Sequence, residues 1–445
     1  MNRCLCLLRS LTVIAAAVAL VAACGGGDGS PPPAVSSESQ LVNDDSADPA
    51  SLAAITTILE SVDAKIAALD IPGASNDAPG QARLGGIGFG WFPGVKQTNL
   101  IANKPEFGAQ ILDPEMQNAW GIAIRPAGFG GHFWVSSTNV GKSLLYVGDV
   151  GGTPLFQDDL KFVNTLGAPT GVVFNEGAQF VITQQHENGP ITNAAKFLFA
   201  NASGTITAWT ERARAAGGFD RPVDSAVVVD GTARGSEFLG VALSPAGDRM
   251  LAADFGAEAA LRVYDGKFAE VGAFANPFNP NKKPDGFEAF NVQTLGDSVF
   301  AMYARHVPPG AELPEGRLAE FDASGQLIAK WRGRGYLNNP WGVAKAPKDF
   351  GLYSGCLLVG NFGDGTVVAF HPRFKVALDY VRDAHGKRVV IDGLWGLQFG
   401  NGASLGEANH VYFAAGPNKE VDGLFGKLEP NPKTLPYIGG ISLCQ

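Results

Sequence analysis

Three tryptophans stand immediately before a glycine, Trp120 in AWG, Trp341 in PWG and Trp395 in LWG, and Phe290 takes the same place before Asn291. Aromatic rings at such a turn either plug a closed β structure or stack against a sugar or an aromatic ligand. These four residues form the candidate ligand-binding set. A second set, Asn201, Asp254 and Asn361, ends three short apolar runs and offers side-chain oxygens to a divalent cation. One carboxylate beside two amides is a poor cation cage, and Asn and Asp are also turn formers. The expectation is therefore turns and no cofactor, with a divalent cation at these three residues as the weaker alternative. The six histidines, His132, His186, His306, His371, His385 and His410, show no helical zinc spacing, and CxxC does not occur. Arg305-His306 with Asp254 is the one acid–base combination worth naming, and no catalytic residue is assigned from it.

The cysteines speak to compartment. Residues 1–23 carry Arg3 and Arg9, then the apolar run Leu11–Ala23, and read as a signal peptide, the run being short for a membrane span. Val21-Ala22-Ala23-Cys24 resembles the bacterial lipobox, which implies lipidation of Cys24, and Gly25 after it implies the outer membrane. Cys4 and Cys6 lie in the signal. That leaves Cys356 and Cys444 as an exported pair, which either form a disulfide or stand as a buried strand thiol and an idle terminal one.

These residues need elements to position them. The chain of 445 residues holds 58 Gly and 28 Pro, a composition for short strands and tight turns rather than long helices. Its net charge of −9 excludes a phosphate-collecting surface, so nucleic acid is not an expected partner. Residues 24–49 are Gly, Ser, Pro and acid and read as a lipidated flexible tether. In 50–94 a helix and linker follow, with Leu52, Ile55, Leu59, Val62, Ile66 and Leu69 on one stripe, placing a helix against the main domain.

From there the chain repeats. AWGIAIRP, PTGVVFN, FLGVALSP, AFNVQTLG, PWGVAKAP and LWGLQFG place Gly121, Gly171, Gly240, Asn291, Gly342 and Gly396 in register at intervals of 50, 69, 51, 51 and 54. The long interval holds TQQHENGPITNAA, an inserted loop. Units of about 40–50 residues with four short strands are the mark of a β-propeller. The fold class is all-β: a six-bladed β-propeller over 95–430, closed by an amino-terminal strand in VKQTNLIAN that pairs with the last blade and removes the free sheet edge. Residues 431–445 form a tail beyond it; a disulfide would pin that tail across blade five.

QTNLIAN, NAWGIAIRP, NNPWGVA, LLVGNFGDG, IDGLWGLQFGNG and VYFAAGPNKEVDGLFG resemble a family of exported, uncharacterised bacterial propellers of the NHL type. The likeness implies the six-bladed fold and supplies no activity. Propeller lactonases, similar to gluconolactonases, place Glu, Asn and Asp where this chain has mostly aromatic or aliphatic residues, so their metal mechanism does not carry over. The expected function is a lipid-anchored outer-membrane binding or scaffold module for a small ligand or an envelope protein, not an enzyme. The alternative is a lactonase-like hydrolase with an unrecognised polar or metal site in the mouth.

Overall fold

The computed structural model describes residues 48–67, 92–306, 315–432 and 440–444; the signal peptide, most of the tether and Cys24 lie outside the described residues. Six antiparallel sheets stand around one axis. Blade 1 comprises Ala119–Ala123, Phe133–Ser137, Lys142–Tyr146 and Phe162–Asn164, and blade 2 Pro169–Phe174, Phe197–Asn201, Thr205–Trp209 and Ala226–Asp230. Blade 3 is Phe238–Leu243, Arg249–Asp254, Ala260–Asp265 and Glu270–Phe274; blade 4 is Phe287–Leu295, Ser298–Arg305, Arg317–Phe321 and Leu327–Trp331. Blade 5 is Pro340–Lys345, Leu357–Asn361, Val367–His371 and Val376–Tyr380. Blade 6 takes Leu394–Phe399, Val411–Ala415 and Leu424–Pro430 from the end of the chain, and its fourth strand, Val95–Ala102, from the beginning.

That fourth strand runs antiparallel to Leu424–Pro430, from Val95 opposite Pro430 to Ala102 opposite Leu424. It ties the two ends of the ring by main-chain hydrogen bonds, so the ring opens only if a full strand is peeled away. The first strand of each blade lies beside the first strand of the next, and the sixth returns to the first.

Burial explains the sequence pattern. The second strands FWVSS, FLFAN, LLVGN and VYFAA are buried at every position, because neighbouring blades cover both faces of each sheet. They therefore read as continuous apolar runs rather than as alternating ones. The insertion in blade 2 is more ordered than a loop: Val181–Gln184 and Ile191–Ala194 form their own hairpin.

The helix spans Pro49–Ala67 and is capped by Asp48, which accepts from the Ser51 N–H at 2.9 Å. Ile55, Val62 and Ile66 enter the core shared by blades 5 and 6, whereas Leu52, at the first turn, is 37% exposed. The tail docks on the same side. Leu443 N–H donates to the Leu352 carbonyl and Cys444 is bonded to Cys356, with Cα atoms 5.1 Å apart. Among the described residues, no helix is long and apolar enough to cross a membrane.

Candidate functional site

The upper face is the one reached by the loops that lead into each first strand and by the loops between second and third strands. At that face all six first strands break register with their neighbours. The pairing skips Trp120-Gly121, Thr170-Gly171, Leu239, Phe290, Trp341-Gly342 and Trp395-Gly396. Such bulges leave a residue out of the ladder and re-aim its side chain. Trp120, Leu239, Phe290, Trp341 and Trp395 come together in one cluster with Phe255 and Ala304. The turn before the bulge uses left-handed backbone, at Asn118 (φ 52°), Asn339 (φ 47°) and Gly393 (φ 65°), which accounts for the Asn two residues before Trp in blades 1 and 5.

The glycine after the aromatic residue has a separate reason. A Cβ on Gly396 would stand 2.5 Å from the Trp120 carbonyl oxygen, and one on Gly342 would stand 2.6 Å from the Trp395 carbonyl. Adjacent blades meet here backbone to backbone. Blade 4 carries Asn291 instead, and its amide donates to the Trp341 carbonyl at 2.7 Å.

The four aromatic residues of the candidate ligand set form a plug. Trp395 is covered on both faces, by Trp120 at 3.4 Å and Phe362 at 3.8 Å between ring centroids. Trp341 meets both Trp120 and Trp395 edge to face, at 5.9 and 5.8 Å. Exposure is 2% for Trp395, 3% for Trp341, 6% for Trp120 and 7% for Phe290. The structure thus turns these rings toward one another and makes them the floor of the mouth rather than an open stacking platform. Among the described residues, the three indole N–H groups find no hydrogen-bond acceptor.

Asn201, Asp254 and Asn361 stand in three different blades, each at the end of a second strand, and face the chain rather than the axis. Asp254 is fully buried and accepts from Arg262 Nε at 2.7 Å, Ser236 Oγ at 2.8 Å and the Glu237 N–H at 2.9 Å. Asn361 accepts from the Asn338 N–H at 3.0 Å and donates to the Tyr336 carbonyl at 2.8 Å. Asn201 packs against Gly167, where a Cβ would stand 2.7 Å from its Oδ1. Ser137 does the same work in blade 1, accepting from the Gln117 N–H at 2.9 Å. Ser137, Asp254 and Asn361 latch the incoming loop of their own blade to its second strand by hydrogen bonds, whereas Asn201 donates to the Phe199 and Thr205 carbonyls and meets its incoming loop by packing alone. Among the described residues, no group of three or more His, Cys, Asp or Glu side chains is arranged to hold a metal ion.

Two carboxylates that the sequence reading passed over stand at this mouth. Glu237 precedes the blade 3 first strand, and its carbonyl accepts from the N–H of Phe255 in the plug. Glu420 lies in the loop between the second and third strands of blade 6, beside Asn118 of the blade 1 turn. Blades 3 and 6 are opposite one another in the ring. Burial, then the like charges of Asp254 and Glu420, raise the Glu237 carboxyl to about 7. Burial also raises Glu420, with Asn118 pulling the other way. On the same face His306 stacks on Phe255 at 3.8 Å between centroids. Arg305 instead turns to Glu315 at 3.0 Å, so it does not join His306 and Asp254 in one acid–base set.

The lower face is different. A cavity of about 870 Å³ opens along the axis there, walled by Ile122, Val172, Val241, Leu243, Val343 and Leu397, with Glu176, Lys345 and Gln398 at its edge. The plug separates it from the upper mouth.

No family model matches the chain. It is similar to two uncharacterized proteins of Acanthamoeba polyphaga mimivirus. One is 27% identical over 74% of this chain and 78% of the relative; the other is 27% identical over 75% and 85%. Among solved structures it is similar to the Cps50 (Swd1) β-propeller domain of Myceliophteria thermophila, at 10% identity and a TM-score of 0.40, over 71% of this chain and 84% of that one. It is also similar to a gluconolactonase of Xanthomonas campestris, at 12% identity and a TM-score of 0.31, over 70% and 98%. The six-bladed architecture stands on the strand pairing described above.

Proposed function

We propose that this chain is a non-enzymatic binding propeller whose ligand face is the upper mouth. The observation that carries the reading is the common break in all six first strands, which sends a large aromatic onto the axis in four blades and closes it under a rim holding Glu237 and Glu420. A closed floor with half-buried carboxyls above it is a recess for a small ligand or for a side chain of an envelope protein. The sequence of residues 1–49 adds how that face would be presented: export, a lipid on Cys24 in the outer membrane, and a flexible tether, a reading supported by the apolar run Leu11–Ala23 and by the likeness of Val21-Ala22-Ala23-Cys24 to a lipobox.

Calorimetric titration of the mature chain with a panel of glycans, amines and aromatic acids tests the reading. A ligand of this face loses affinity in Asn118→Ala and Glu420→Gln and is indifferent to Gln398→Ala at the lower cavity. The reverse pattern would move the ligand to the lower face and end the proposal. One observation favours a hydrolase as the second reading: a carboxyl raised to about 7 suits proton transfer near neutral pH. That reading requires turnover of a lactone or ester that disappears in Glu237→Gln while binding persists.

A further inference from the structure

The plug is the top of a layered channel, and the layers below it have a different chemistry. One position after the repeat column the blades carry Ile122, Val172, Val241, Val292, Val343 and Leu397, aliphatic in every blade. Five of these side chains wall the cavity of about 870 Å³ on the lower face, and Val292 lines the narrow throat between that cavity and the plug. Sites for small molecules are of this size, roughly 300–1,000 Å³, with mostly apolar walls and a few fixed polar groups.

The fixed polar groups stand on one side of this cavity. Two side chains of the blade 4 first strand cross to the first strand of blade 5. The Asn291 amide donates to the Trp341 carbonyl at 2.7 Å, and Gln293 Oε1 accepts from the Val343 N–H at 2.7 Å. The second bond sets which way the Gln293 carboxamide faces. Its Nε2 has no acceptor among the described residues, and the side chain lines the cavity. Lys345 lies two residues beyond Val343, on the same side of the strand. It lines the same cavity, with no carboxylate in ion-pair contact among the described residues. An N–H donor and an ammonium group on adjacent blades, at the edge of an aliphatic wall, are the complement of a carboxylate. Glu176, the one acidic residue of the lining, belongs to blade 2, opposite blade 5 in the ring, so it turns an anion toward the Lys345 side.

We propose that the lower cavity binds an aliphatic carboxylate, its hydrocarbon body against the collar and its head group between Gln293 Nε2 and Lys345 Nζ. Phe174 and Phe399 also line the cavity, but they stand three positions past the column, level with Lys345. The body therefore meets aliphatic walls, which suit an alkyl chain better than a ring that needs a stacking partner. The site is separate from the upper mouth, because the plug lies between them, and it does not rest on the reading of that face.

Calorimetric titration of the protein with octanoate and with octan-1-ol tests the assignment. Octanoate is expected to bind at least about tenfold more tightly than the alcohol, and about tenfold more tightly than butyrate, which keeps the head group and loses most of the body. Gln293→Glu keeps an oxygen for the Val343 N–H and puts a negative charge in place of the free amide nitrogen. Lys345→Met keeps the apolar stem and removes the charge. Each is expected to weaken octanoate by about tenfold or more and to leave octan-1-ol within about twofold. Lys345 is exposed, so its variant should melt with the wild type, which separates a lost site from a lost fold. Equal affinity for octanoate and octan-1-ol, octanoate binding that ignores both substitutions, or no binding of octanoate at up to about 10 mM overturns the assignment. So does octanoate binding that is lost in Asn118→Ala and kept in Gln293→Glu, because the ligand then sits at the upper mouth.

Discussion

At the scale of the residue, the same side-chain types do different work according to what surrounds them. Asp254 and Glu237 are separated by one hydrogen bond, from the Glu237 N–H to Asp254, yet Asp254 is matched by Arg262 while Glu237 faces only acids. A carboxyl whose folded pKa is raised stabilises the fold while protonated, and that stability is lost as pH rises from the ordinary Glu range through about 7. Glu237→Gln should therefore leave the melting temperature unchanged near pH 4.5 and raise it near pH 8, by the equivalent of roughly 1–3 kcal/mol. Thermal melts across that range check it; a variant that is less stable than wild type at high pH would show that the carboxylate has a partner. Asp254→Ala removes the buried acceptor of Arg262 Nε, Ser236 Oγ and the Glu237 N–H, leaves Arg262 paired with Glu270, and is expected to cost about 1–3 kcal/mol in denaturant unfolding. In the plug, Trp395→Ala should cost about 3–5 kcal/mol, because both faces of the ring are packed. Trp341→Phe should cost much less, since it keeps an apolar ring and removes an indole N–H that has no acceptor.

At the scale of the element, the repeat was legible and its geometry was not. Gly121, Gly171, Gly240, Gly342 and Gly396 recur because neighbouring first strands touch at that position, so a steric demand that repeats in space repeats in the sequence. The bulges that turn Trp120, Trp341 and Trp395 onto the axis depend on which residue pairs with which across a sheet, and the sequence of a single strand does not record that. The aromatic residues were thus found, but whether they formed a platform or a plug stayed open until the register was known. Asn201, Asp254 and Asn361 were found as a set for the same reason, and the latching of incoming loops by Asp254 and Asn361 follows from the pairing. Glu237 and Glu420 were missed because they stand in loops that do not repeat, and their approach depends on the ring bringing blades 3 and 6 face to face. The one available signal was local: GPNKEVDG spans residues 416–423 between two strands, where blades 1, 2, 3 and 5 carry a shorter connection. A Cβ at Gly396 meets the Trp120 carbonyl, so Gly396→Ala should destabilise by about 1–3 kcal/mol, and the same change at Gly189, where nothing lies within 4 Å but φ is 90°, should act only through backbone strain.

At the scale of the whole molecule, the ring is closed twice. The strand Val95–Ala102 completes blade 6 by hydrogen bonds, and the Cys356–Cys444 bridge ties the carboxy-terminal tail to blade 5 across 88 residues. Replacing both cysteines by serine should lower stability by about 2–4 kcal/mol, and reductant should lower the melting temperature of the wild type to that of the variant. Closure is also what makes a site out of separate blades, since the plug and the rim take residues from at least four of them. The account's central claim is that this plug is the floor of the ligand face. The most direct measurement is the indole N–H resonances of the 15N-labelled protein, assigned by Trp→Phe variants and followed while a ligand retained from the panel of glycans, amines and aromatic acids is added. The account predicts that the resonances of Trp120, Trp341 and Trp395 move together with one saturation curve, while those of Trp134 and Trp209, buried between blades 1 and 2, stay in place. A saturable response confined to Trp134 and Trp209, or no response of the three plug indoles up to about 10 mM, would contradict it.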